Sequence, residues 1–154
     1  LFLVTVPNSD YSTSNYGEDF KPMVKSVEKI LEGEDVGLSV LKALAENSFD
    51  SILITDATKE AKIIYANKEF KKLTGFSPDE VLGKSPRILQ GPATDKAVID
   101  RLGTALKTGG RFEGKAINYK KDGTPFIMYW RVVPAKVGKN TKVWLAIQRE
   151  GTTI

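Results

Sequence analysis

Apolar residues first recur at helical spacing. Met23, Val27, Ile30 and Leu31 fall at i, i+4, i+7 and i+8 and stop at Gly33, while Val40, Leu41, Leu44 and Ala45 mark a second helix closed near Asn47. Before them, the strand-like run Leu1-Phe-Leu-Val-Thr-Val6 gives way to a polar stretch, Pro7 to Asp19, that reads as loop. Neither helical stripe is long enough for a coiled coil, and no internal repeat is visible.

From Phe49 the period changes to two. Ser51-Ile-Leu-Ile-Thr-Asp56 and Lys62-Ile-Ile-Tyr-Ala66 predict two strands joined by a short polar turn. Asn67 can cap a helix carrying Phe70 and Leu73 and stopped at Gly75. Ser77-Pro-Asp-Glu80 is a capping box with proline at the first helical position, opening a short helix to Leu82. An irregular stretch punctuated by Gly and Pro runs from Gly83 to Pro92. Thr94 or Asp95 then caps a longer helix with Val98, Leu102, Ala105 and Leu106 on its apolar side, ended by Gly109-Gly110. Three strands follow, over 111–119, 124–136 and 141–149, with Lys121-Asp-Gly123 and Gly138-Lys-Asn140 as turns. Strand, strand, several short helices and an antiparallel meander predict an α+β domain with helices on one face of the sheet.

Alternation also sorts the faces of the last three strands. Phe112, Gly114, Ala116 and Asn118 share a side with Phe126, Met128, Trp130 and Val132, and with Trp144, Ala146 and Gln148. If that side is interior, two carboxamides, Asn118 and Gln148, lie among apolar neighbours. They then bond backbone or water, or else a ligand held between helices and sheet, because an unsatisfied buried amide costs about 1–3 kcal/mol. The other side is also apolar, with Ile117, Ile127, Tyr129, Val133, Leu145 and Ile147. A sheet apolar on both sides needs two covers. The N-terminal helices or the sheet of a second copy would serve, hence the expectation of a homodimer through the outer sheet face and those helices.

Composition removes most enzyme classes. With no Cys and no His among 154 residues, thiolate nucleophiles, His-based triads, and imidazole ligation of metals or haem are excluded. No nucleophile–base pair or metal constellation remains, so neither catalysis nor a metal site is expected. A net charge of +4, with acidic residues interspersed among the lysines, reads as a solvated surface without the basic stripe that nucleic acid requires. Leu1 to Val6 is too short to span a bilayer and lacks the basic region of a signal peptide, so the protein reads as cytoplasmic, with no membrane partner. Gly83-Lys84-Ser85 ends like a phosphate-binding loop, but the required first glycine would fall at Pro78, inside a capped helix.

The blocks Gly75-Phe-Ser-Pro-Asp-Glu-Val-Leu-Gly-Lys-Ser-Pro-Arg-Ile-Leu-Gln-Gly-Pro-Ala-Thr-Asp95, Asn118-Tyr-Lys-Lys-Asp-Gly-Thr-Pro-Phe126 and Ile147-Gln148 resemble the PAS superfamily, and within it the LOV (light-oxygen-voltage) branch. The resemblance covers Phe49 to Glu150. It implies a PAS fold: a five-stranded antiparallel sheet with short helices on one face, here carrying an N-terminal helical extension, and a flavin-sized cavity between the layers. The division it implies is a flank over 1–48, a sensory domain over 49–150 and the start of a linker at 151–154.

The implied function is a sensory domain of a signal-transduction protein that binds flavin (FMN, FAD or riboflavin) and senses redox state or light. Its effector would be a downstream domain or partner protein. The implied cofactor-binding residues are Thr55, Asn67, Arg87, Leu89, Gln90, Lys96, Asn118, Met128, Trp130 and Gln148. Several positions depart from the branch. Pro86 stands where the photoactive cysteine belongs, Ser85 replaces an Asn, Met128 replaces a second pyrimidine-binding Asn, and Gly103 occupies the place of a phosphate-binding Arg. Losing three or four polar contacts at about 1 kcal/mol or more each removes ~3–6 kcal/mol, or two to four orders of magnitude in affinity. A ligand-free PAS module for dimerisation or protein interaction is the alternative.

Overall fold

The computed structural model describes residues 34–152. The expected strand at 1–6 and helix at 23–33 lie outside the described residues. Within them the order is α1 (Glu34–Glu46), β1 (Ser51–Asp56), β2 (Ile63–Ala66), α2 (Lys68–Thr74), α3 (Pro78–Val81), a 3-10 helix (Pro86–Leu89), α4 (Lys96–Lys107), β3 (Phe112–Tyr119), β4 (Pro125–Lys136) and β5 (Lys142–Glu150). The strands form one antiparallel sheet in the order β2-β1-β5-β4-β3. This is the expected α+β architecture.

Local chemistry sets the helix ends. Asn67 Oδ1 accepts from Phe70 N at the start of α2, and Gly75, at φ 80°, closes it in the left-handed conformation that glycine adopts without steric cost. The capping box expected at Ser77 is present, with Glu80 accepting from Ser77 N at 3.1 Å. Of the two candidates for the next cap, Asp95 takes the role, accepting from Ala97 N at 2.9 Å. Thr94 instead donates its hydroxyl to Ile117 O at 2.7 Å, tying the loop before α4 to β3. The irregular stretch 83–92 holds the 3-10 helix, capped by Ser85. Two prolines, Pro86 and Pro92, keep it from growing into a longer helix.

The sheet carries two cores. On the helix side, Leu53, Ile63, Phe70, Val81, Leu89, Phe112, Phe126, Met128, Trp130, Val132 and Trp144 form one cluster, against which Val98, Leu102, Ala105 and Leu106 of α4 pack. On the opposite side, Ala45 of α1 packs with Ile52, Ile54, Val137 and Val143, with Leu41 alongside. One N-terminal helix therefore covers part of the second apolar face, one of the two covers expected. The α1 stripe itself divides: Ala45 and Leu41 turn to the sheet, whereas Val40 and Leu44 are exposed.

Close approach explains two glycines. A Cβ at Gly91 would lie 2.2 Å from the Tyr119 ring, and one at Gly151 would lie 1.8 Å from the Tyr129 ring. The Tyr119 ring lies across bare backbone between the 3-10 helix and α4, and the Tyr129 ring across bare backbone where the chain leaves β5.

Candidate interior site between helices and sheet

The candidate site grows from β3, β4 and β5, whose inward residues face α2, the 3-10 helix and α4. Pairing places Ala116 opposite Met128, Asn118 opposite Phe126, and Trp130 opposite Gln148. The two carboxamides singled out by alternation both point inward: Asn118 is 6% exposed and Gln148 4%.

Their hydrogen bonds differ. Gln148 Oε1 accepts from Ser51 Oγ at 3.0 Å, across the β1–β5 pair Ser51↔Gln148. Asn118 Nδ2 donates to the Met128 thioether at 3.3 Å, a weak acceptor, and Asn118 Oδ1 is buried with no partner. An orphaned amide oxygen in an apolar interior costs about 1–3 kcal/mol, and such groups mark places where something else is meant to donate.

Around these amides the space is filled by side chains. Met128 is 1% exposed and Trp130 7%. Phe112 and Trp130 pack ring against ring at 5.3 Å between centroids. A guest ring therefore enters only by displacing side chains. Met128, unbranched and readily repacked, yields at least cost.

The remaining implied residues separate into three groups. Leu89 is buried in the helix-side core, and Thr55 is buried with its hydroxyl donating to Asp56 O at 3.1 Å. Arg87, Gln90 and Lys96 are exposed, on the 3-10 helix, just after it and at the start of α4. That suits the outer, charged end of an elongated ligand. Asn67 is fully buried and fully used. Its Oδ1 accepts from Ile52 N and Phe70 N, and its Nδ2 donates to Ala45 O and Asp50 O. It fastens backbone and keeps no hydrogen bond for a ligand. Sequence reasoning missed Ser51, the partner of Gln148; position 51 lies on the opposite edge of β5 from Trp130, and only the register reveals it.

A flavin fits this donor and acceptor set at its polar ends. Its pyrimidine edge would meet the unpartnered Asn118 oxygen, and Arg87 and Lys96 would offer exposed cations to a phosphate. Among the described residues no cluster of three or more acidic side chains could hold a metal ion, and no helix is long and apolar enough to cross a membrane.

Comparison with known proteins gives a consistent picture. A PAS domain family model matches residues 50–152. Phototropin-2 of rice (Oryza sativa subsp. japonica) is 40% identical over 97 residues, which are 62% of this chain and 11% of the phototropin. The blue-light photoreceptor of Listeria monocytogenes is 31% identical over 114 residues, covering 74% of this chain and 45% of that protein. Among solved structures, a light-oxygen-voltage domain from work with a flavin analogue superposes with a TM-score of 0.67 at 31% identity, over 74% of this chain and 85% of that one. The LOV domain of a blue-light-activated histidine kinase from Erythrobacter litoralis gives 0.64 at 28% identity, over 70% of this chain and 100% of that one. The chain thus spans only about a tenth of the rice phototropin and under half of the bacterial photoreceptor.

Proposed function

This chain belongs to the PAS domain family, in its LOV-like branch, and from that premise we propose that it is a sensory domain whose interior carboxamides hold a flavin. The unit runs over 49–150, with 1–48 as flank and 151–154 as the start of a linker to an effector. The observation that carries the cofactor reading is the buried, unpartnered Asn118 Oδ1. Asn118 would hold the pyrimidine edge, Gln148 would lie near the reactive edge of the ring, and Gln90, Arg87 and Lys96 would take the ribityl chain and phosphate. With Met128 where a second amide is usual, the affinity is modest.

A bound flavin supplies a visible chromophore that accepts electrons and a proton. The chain has no cysteine, so no cysteinyl adduct forms on it, and Pro86 stands at the thiol's place. Gln148 is the group that registers a change of ligand state. Its Oε1 is held by Ser51 Oγ, so turning the carboxamide breaks the side-chain bond that ties these paired residues of β1 and β5 together. Both strands lead out of the domain, β1 toward α1 and β5 toward residue 151. Pairing with a second copy belongs to the same reading: α1 leaves Val36, Val40 and Leu44 exposed, an apolar stripe at i, i+4 and i+8 that suits the same stripe on another molecule.

The second reading, a ligand-free interaction module, is favoured by the filled interior at Met128, Trp130 and Phe112. The visible spectrum decides between them. A protein that purifies yellow, or turns yellow and quenches flavin fluorescence on titration with FMN, supports the sensor. A colourless protein that takes up no added FMN, FAD or riboflavin leaves the interaction module.

A further inference from the structure

Among the described residues β2 and β3 are the edge strands, and their edges differ. The β2 edge, four residues long, is fastened at its first residue: Ile63 N donates to Lys84 O and Ile63 O accepts from Gly83 N. The β3 edge is fastened only at its C-terminal end, where Thr94 donates to Ile117 O and Tyr119 Oη accepts from Ala93 N. In an antiparallel strand the N–H and C=O of one residue point to the same side and alternate along the chain. The outward Ile117 carbonyl therefore places the backbone groups of Glu113 and Lys115 on the open side, away from β4. Among the described residues, none of these four backbone groups has a hydrogen-bond partner. A groove of about 650 Å3 runs along this edge, bounded by Ala93, Val98 and Arg101 on the helix side and by Ile127 and Tyr129 on the sheet face.

An open edge is a template for another strand, and charged side chains ordinarily blunt it. Here the charges select a partner instead. Glu113 and Lys115 flank Gly114, two residues apart and on the same face. We propose that the β3 edge pairs antiparallel with the β3 edge of a second copy about a twofold axis at Gly114, joining two sheets into one of ten strands. This register sets Glu113 of each copy opposite Lys115 of the other, as hydrogen-bonded pairs exchanging four backbone bonds, while the two Gly114 residues meet with no side chains between them. A register slipped by two residues, the smallest slip that keeps the outward backbone groups paired, centres the axis on Glu113 or Lys115 and opposes like charges, so the sequence chooses one alignment. Glu113 now shares an exposed ion pair with Arg131 at 3.3 Å, and Lys115 lies 5.7 Å over the Tyr129 ring. Neither contact is buried, so both side chains are free to reach across. Arg101, exposed and leaning over Phe112 beside Gly114, is long enough to turn to solvent.

The contact is isologous and independent of the cofactor and of the α1 stripe. Sedimentation of the whole chain across micromolar to millimolar concentration should show a reversible dimer that weakens with salt. Glu113→Lys and Lys115→Glu should each raise its dissociation constant by about tenfold or more, because each creates two like-charge pairs across the axis. An equimolar mixture of the two variants should recover the dimer, as should the double exchange in one chain. Leu44→Asp should leave this association in place. A wild-type chain monomeric throughout that range overturns the proposal. So does a dimer unaffected by both charge variants, or a mixture no tighter than its components.

Discussion

Three buried amides, chemically alike, hold three different positions in this molecule. Asn67 uses both ends of its side chain on backbone, Gln148 shares its oxygen with Ser51, and Asn118 leaves its oxygen without a donor. The difference predicts opposite responses to substitution. Asn118→Leu removes an unsatisfied polar group at near-constant volume, so the ligand-free protein should be unchanged or about 1 kcal/mol more stable in urea unfolding. The same variant should lose whatever flavin uptake the wild type shows. Asn67→Ala strands Ile52 N and Asp50 O and leaves Phe70 N and Ala45 O with one backbone partner each, Asn67 O and Ser48 N, and should cost about 2–4 kcal/mol by the same measurement. The sequence marked Asn67 as a helix cap from its position before an apolar run. It did not reveal the bonds to Ala45 and Asp50, which need tertiary contact with the end of α1.

Whole elements were the most legible features of the sequence, because period and capping chemistry act locally. The strand at Ser51–Asp56, the capping box at Ser77 and the division of the last three strands into two faces all follow from residue spacing. The 3-10 helix at Pro86–Leu89 did not, since two prolines mask any helical period there. Nor did the fastening of the β2 edge, which depends on a loop twenty residues downstream. The filling of the interior by Met128 and Trp130 was equally hidden: alternation gives the side on which a residue sits, not the volume left beside it. The β1–β2 connection carries a prediction of its own. Burial pushes the Asp56 carboxyl up, the largest single effect, but its carboxylate accepts from the Thr58 hydroxyl, from Lys62 N and from Thr58 N beside the Lys62 charge, and together these hold the net pKa below the ordinary 3.8. A carboxyl with a lowered folded-state pKa stabilises fully above its unfolded value and loses that contribution as pH falls through the folded one. The protection factor of the Lys62 amide, its exchange relative to an unstructured peptide at the same pH, should therefore hold above pH ~4 and fall on further acidification. Asp56→Ala should lack this protection at every pH; equal protection in the two proteins would refute the role of the carboxylate.

At the scale of the whole molecule, the sheet is covered completely on one side and partly on the other. The helices α2 to α4 close the inner side, while α1 shields Ile52, Ile54 and Val143 and leaves Ile117, Ile127 and Tyr129 half-buried. Deleting residues 1–46 should uncover the α1 footprint, producing dye-binding apolar surface and a lower urea midpoint, with the strand content in circular dichroism retained. A chain that keeps its midpoint after the deletion would show that α1 is not part of the folded core.

Asn67 gives this arrangement a mechanical consequence. Its four bonds reach the end of α1, the residue before β1, the second residue of β1 and the first turn of α2. One side chain thus acts as a rivet through three plates. A torque applied to the flank cannot be absorbed by slippage at the seam; it must either lift the first turn of the inner helix or be carried whole into the strand that holds Ser51.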